Sequence, residues 1–173
     1  MKKTLALVLC LLALPAAAHP GHDAVAGFAA GFAHPFSGID HLLAMLGVGL
    51  WSRQQGRGGL LPVFVLMMAL GAAVQVGVPI EAGLAATVVL IGALLAGAAH
   101  VPSALAMALV AGFALLHGQA HGRELLGAAS AAGFLGAGGV LLAAGYAAGS
   151  ARVTRLAGAA IGATGVLLLA AMA

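Results

Sequence analysis

Apolar runs fill most of this chain, and short polar or glycine-rich breaks part them at intervals that suit a bilayer, about 17 to 25 residues per crossing. Six such segments can be placed. The first runs from about Gly27 to Trp51 and ends at "SRQQGRGG". The second runs from about Leu60 to Val78 and ends at "PIEAG", and the third covers about Leu84 to Ala99. The fourth follows "HVPS" and extends to "LLHGQAHGRE", the fifth covers about Leu125 to Ala148, and the sixth runs from about Leu156 to the end. The expected fold class is therefore all-α, a polytopic bundle of six transmembrane helices with no room for a soluble domain.

Composition agrees. The 173 residues are 63% hydrophobic and 6% charged, with a mean hydropathy of +1.15, far from the roughly 25% charged residues of soluble domains. The 27 glycines would weaken helices in water, but in lipid small residues let backbones approach and pack. The start has to be set aside, because "MKK", the apolar "TLALVLCLLAL" and the small-residue "PAAA" are the three regions of a secretory signal. We expect residues 1–18 to be that signal, cleaved after Ala18, leaving residues 19–173 as one membrane domain that begins "HPGHD". The lone cysteine, Cys10, would leave with the signal, so disulfides and thiolate ligands are not expected. Loss of Lys2 and Lys3 lowers the formal charge of +3, and no basic patch suited to nucleic acid remains.

Arginines orient the bundle, since short loops rich in Lys and Arg stay cytoplasmic. Arg53 and Arg57 follow span one, Arg152 and Arg155 part spans five and six, and only Arg123, beside Glu124, falls on the other side. With a translocated start, both ends of the mature chain are periplasmic and the expected location is the bacterial inner membrane. Three spans followed by three also admit two inverted three-helix halves. "AGFAHP" and "AGFALLH" hint at a repeat, but "AGF" recurs at residues 26–28 and 132–134, as a Gly/Ala-rich chain would produce by chance.

Ionisable groups inside membrane spans are costly and point to function. Two clusters qualify: His34, Asp40 and His41 in span one, and His117, His121 and Glu124 at the end of span four. Spans one and four run in opposite directions, which places both clusters at similar depth near the periplasmic face. His117 and His121, four residues apart, share a helix face with about 6 Å of rise and can chelate one ion. His34 and His41 lie about 10.5 Å apart along a continuous helix, so they share an ion only if the helix breaks. Pro35 disfavours helical geometry at His34 and Gly38 loosens the next turn. His34 therefore either folds back as a ligand or serves an upstream station.

Asp40 points about 100° away from His41, as a side ligand or an orienting partner. Nitrogen and oxygen donors without thiolates suit nickel, cobalt, zinc or copper(II). Glu124 either joins the ligands or pairs with Arg123. His19 and His22, with the free amine of the processed terminus, offer a capture point for dilute cations or form an ordinary loose end. Met45 is expected to pack rather than ligate, His100 to cap a loop, and Glu81 to be solvated.

The "HPFSGIDHLLAMLGVGLW" stretch, the later "HGQAHG", the mature start "HPGH" and the six spans together resemble the HupE/UreJ family over essentially the whole chain. The resemblance implies a nickel or cobalt permease associated with hydrogenase or urease systems. It places His34, Asp40 and His41 in the family's first motif, and His117 and His121 in its second. Ni²⁺ or Co²⁺ is then the transported substrate, with no prosthetic group. Membrane lipid and the maturation systems of a nickel enzyme are the remaining partners. Uptake should fall as external pH drops below about 6, because imidazoles must be neutral to bind.

A metal sensor or accessory protein that binds without transport is the nearest rival. An enzyme is not expected but is the other rival, as a membrane metal hydrolase or a haem protein using paired histidines. "HGQAH" has zinc-protease histidine spacing but lacks the Glu that follows the first histidine, which disfavours hydrolysis. The sequence leaves haem open, and a strong Soret band would mark it.

Overall fold

A computed structural model describes residues 25–74, 79–122 and 124–173. The proposed signal at residues 1–18, His19, His22 and Arg123 lie outside the described residues. The described chain forms seven α-helices: α1 (Phe28–Ala33), α2 (Ile39–Gln54), α3 (Leu60–Ala73), α4 (Glu81–Ala96), α5 (Ser103–His121), α6 (Gly127–Ala148) and α7 (Ala151–Ala170). A 3-10 turn at His34–Phe36 joins α1 to α2, and two-residue strands β1 (Val25–Ala26) and β2 (Leu125–Leu126) pair in parallel. Helices α5, α6 and α7 are long and apolar enough to cross a membrane; α3 and α4 are apolar but shorter.

Large apolar side chains face outward as well as inward, unlike in a protein folded in water. Leu66 and Leu167 are 68% and 65% exposed, and Leu70, Val140 and Val166 also face outward, whereas His41, His117, Ser130 and Ser52 are fully buried. An apolar exterior of this kind suits a hydrocarbon solvent, in which each helix satisfies its own backbone. Burial of apolar area then contributes little to helix association, and close packing must do so instead.

Glycines supply that packing. Helices pair as α2 with α6, α3 with α5, α4 with α7, and α1 with α6. At each crossing a glycine lies against the opposing backbone: Gly49 on Leu142 and Gly145 on Leu46, Gly118 on Met68 and Gly71 on Leu115, Gly92 on Gly162, and Gly31 on Ser130 with Gly133 on Phe28. A methyl group at any of these positions would overlap a backbone atom of its neighbour. Larger side chains fill the spaces between the crossings, with Trp51, Phe64, Phe134, Met45 and Met68 fully buried. Met45 packs beside Gly138 with Met68.

Several boundaries differ from the sequence expectation. Span one is interrupted: α1, the 3-10 turn and α2 replace a continuous helix from Gly27, because Pro35 enters at the first turn of a tighter helix and Gly38 is extended (ψ 115°) before α2 begins. Span two stops at Ala73, with Val74 already extended. Span six begins at Ala151, so Arg152 and Arg155 belong to its first turns and not to a loop. Ala and Arg favour helix, and the Gly149–Ser150 link alone suffices to turn the chain.

At the end of the bundle that carries Arg53 and Arg57, side chains tie two loops together. Gln55 Nε2 donates to Ala99 O at 2.6 Å, Trp51 Nε1 donates to the same oxygen at 3.4 Å, and Arg57 donates to Val101 O at 2.8 Å. The Val101 N–H returns to Gln55 Oε1 at 3.3 Å. Gln55→Ala removes all three contacts of the amide, the third being the 3.4 Å bond it accepts from Arg57, and leaves Ala99 O with the long Trp51 bond. We expect a loss of about 1 to 3 kcal/mol, read as a lower midpoint for thermal unfolding in detergent; an unchanged midpoint would show that the tie adds nothing to stability.

Candidate metal centre

The centre is assembled by the break in span one. Gly27 (φ 86°) and Gly127 (φ 83°) each follow a two-residue strand and turn the chain into a helix, α1 and α6 respectively. Such positive φ values are strained for any residue with a side chain. The strand pair and the bond from Val25 N to Glu124 O at 2.7 Å clip the entry segment to the chain that leaves α5. His34 is thereby delivered to the end of α5. Its carbonyl accepts from Ser37 Oγ at 2.7 Å and from Ser37 N at 3.0 Å, which closes the turn.

Two adjoining groups result. In the first, His34 Nε2 lies 2.9 Å from His121 Nδ1 and 3.1 Å from Glu124 Oε2, while His121 Nδ1 is 2.6 Å from the same carboxylate oxygen. Each of these three residues offers one ligand atom within 4.8 Å of the other two, a spacing that can hold a metal ion. In the second, the His41 ring contacts both His121 (centroids 4.1 Å apart) and His117 (4.6 Å) edge-on. His121 belongs to both groups, and the four imidazoles form one continuous patch. His34 has therefore folded back to meet His121 and Glu124, and this group adjoins the one around His41.

Asp40 takes the orienting position, its Oδ1 accepting from His41 Nδ1 at 3.0 Å. It sits in the first turn of α2, where the positive end of the helix dipole favours a carboxylate. Gly38 makes room for the pair. A Cβ there would stand 3.1 Å from Asp40 Oδ1 and 3.4 Å from His41 Nδ1. Asp40, His41, His117, His121 and Glu124 are all buried, while His34 is partly exposed. The patch thus reaches from a partly open outer end into the bundle.

Three contributors were not read from the sequence. Thr87 of α4 places its hydroxyl 2.9 Å from His117 Nε2. Phe134 of α6 packs against His121 with centroids 4.8 Å apart, and Phe64 of α3 stands 6.5 Å from His117. They are single ordinary residues in apolar helices, and only the helix pairing shows which of many such residues face the patch. The residues expected to stand apart do so: His100 is exposed, 3.1 Å from Ala98 O in the α4–α5 turn, and Glu81 is exposed, accepting from Ile80 N at 3.0 Å.

Imidazole and carboxylate donors buried among apolar side chains suit a borderline divalent cation.

The chain matches the family described as "HupE / UreJ protein" over residues 7–170. It is 41% identical over 96 residues to the "Protein HupE" of Rhizobium leguminosarum bv. viciae, a match that covers 51% of this chain and 50% of that relative. The chain thus spans about half the length of the curated relative it matches. No solved structure matches. With a match that includes every described helix and every residue of the histidine patch, the chain belongs to the HupE/UreJ family.

Proposed function

We propose that this protein is a permease that carries a divalent transition-metal ion, Ni²⁺ or Co²⁺, inward across the bacterial inner membrane. One observation carries the reading: four histidines and two carboxylates from two distant stretches of the chain, residues 34–41 and 117–124, converge on one patch inside a bundle that is apolar outside. Intramembrane ionisable groups are too costly to gather without a task, and these donors match the family's link to nickel and cobalt. Ions enter at His34, Glu124 and His121, and pass to the group of His41, His117 and His121, with Asp40 orienting His41. His19 and His22 collect ions at the periplasmic face after cleavage at Ala18. Six spans put that face and both chain ends on the same side.

The helix pairing supports two inverted halves. Exchanging α2, α3 and α4 for α5, α6 and α7 returns the three most extensive pairs, α2 with α6, α3 with α5 and α4 with α7, although the packing of α2 on α4 has no equal between α5 and α7. Two halves in one arrangement can rock about the site between them. The consumer of the ion is a nickel enzyme under maturation, a hydrogenase or a urease.

Radioactive nickel uptake into proteoliposomes is the direct test. Saturable uptake well above protein-free vesicles is expected. Tight binding to the purified protein with no uptake would replace the permease by a sensor or accessory protein.

A further inference from the structure

We propose that Thr87 is a positioning residue that fixes the tautomer of His117 and makes Nδ1 its metal-facing nitrogen. The proposal rests on the reading of the histidine patch as a metal site. Thr87 belongs to α4, a helix that contributes no ligand, and its side chain is almost fully buried. Its hydroxyl oxygen lies 2.7 Å from Leu84 O and 2.9 Å from His117 Nε2.

A hydroxyl has one proton. The Leu84 carbonyl can only accept, so the proton goes there, and the bond to His117 must run the other way, from Nε2–H to the threonine oxygen. His117 is then protonated on Nε2, and its lone pair sits on Nδ1. The threonine cannot easily reverse the arrangement. Its branched Cβ restricts χ1, and in a helix the rotamer that reaches back to the carbonyl three residues earlier is one of the two it prefers.

The same logic applied to the neighbours gives a consistent set. Asp40 accepts from His41 Nδ1 and Glu124 accepts from His121 Nδ1, which leaves the lone pair on Nε2 in both; in the metal-free form His34 Nε2 then donates to the same Glu124 oxygen, and His121 offers Nε2, not Nδ1, to an ion. All three imidazoles are held in one tautomer by an oxygen partner, as metal-binding histidines generally are. His117 differs in two respects: its partner is neutral, and it comes from a separate helix. A carboxylate partner strengthens an imidazole as a donor, whereas a hydroxyl orients it without adding charge. His117 is therefore the weakest donor of the three and the one from which an ion most readily departs.

The test uses the full-length protein in detergent micelles, with nitrogen-15 histidine spectra of the metal-free form and titration with Ni²⁺. The wild type should show His117 protonated on Nε2. Thr87→Val, nearly identical in shape but without the hydroxyl, should lose that preference and bind Ni²⁺ about tenfold more weakly. Thr87→Ser should restore both properties. If Thr87→Val does not fold, Thr87→Ala carries the same expectation. A wild-type tautomer and wild-type affinity in the hydroxyl-free variant would overturn the role of Thr87 while leaving the metal site intact. Failure of the wild type to bind Ni²⁺ or Co²⁺, with the tautomer as described, would instead overturn the metal reading on which the proposal stands.

Discussion

His41→Ala is expected to reduce nickel uptake into proteoliposomes to the level of protein-free vesicles, with the variant still inserted in the bilayer. His41 is fully buried and is the imidazole whose ring contacts both His117 and His121. Its loss separates the outer group from His117 and leaves Asp40 without the N–H that it accepts. The cavity costs stability, on the order of 2 to 4 kcal/mol by analogy with other large-to-small core changes, so insertion and thermal unfolding should be measured alongside uptake. Asp40→Asn keeps the size and an accepting oxygen but removes the charge, and a milder fall of about 10- to 100-fold in metal affinity is expected. Wild-type uptake by His41→Ala would refute the central site, whatever the behaviour of Asp40→Asn.

The second large effect concerns the fold. Gly118→Leu should prevent recovery of a folded protein, because any side chain at Gly118 collides with the backbone of α3 at Met68. The smallest change, Gly118→Ala, should cost about 1 to 3 kcal/mol or more, as overpacking does, since a backbone atom cannot swing aside as a side-chain tip can. Gly112 in the same helix and Gly139 in α6 are the controls. Nothing lies within 4 Å of a Cβ at either, so alanine there should be neutral or stabilising, in line with its higher helix propensity. Equal unfolding midpoints for Gly118→Ala and Gly112→Ala would dispose of backbone contact as the basis of helix pairing.

Much of this arrangement was legible in the sequence. Long apolar runs give the helices their places within a few residues, and the two polar clusters stand out because nearly everything around them is hydrocarbon. Pro35 and Gly38 mark where the span could break, and the chain does break there. The route by which His34 returns was not legible: the β1–β2 clip is two residues long on each side, too short for any pattern to accumulate. Thr87 was invisible for another reason. A threonine in a membrane helix commonly bonds its own backbone, and only the pairing of α4 with the rest of the bundle shows that this one also meets a histidine. The charge of Arg152 and Arg155 suggests a loop, yet a charged residue at the end of a span continues the helix as readily as it ends it.

The loop tie and its surroundings bear on how any vesicle experiment is read. Arg53 stacks over Tyr146 at 5.4 Å and its side chain lies against Gly149, just before Arg152 and Arg155. These four arginines, Arg53 and Arg57 with Arg152 and Arg155, therefore share one end of the molecule, and Arg53, Arg152 and Arg155 are exposed there. The histidine patch begins at the opposite end of α2. Reconstituted molecules insert both ways round, and only those with the patch outward face added metal. Trypsin outside the vesicles cuts at those arginines only in molecules of the reverse orientation. On the permease reading, the fraction protected at those four arginines, told apart by fragment size from cleavage at Arg123, is the fraction that can import, and uptake scaled to it gives a rate per correctly oriented molecule.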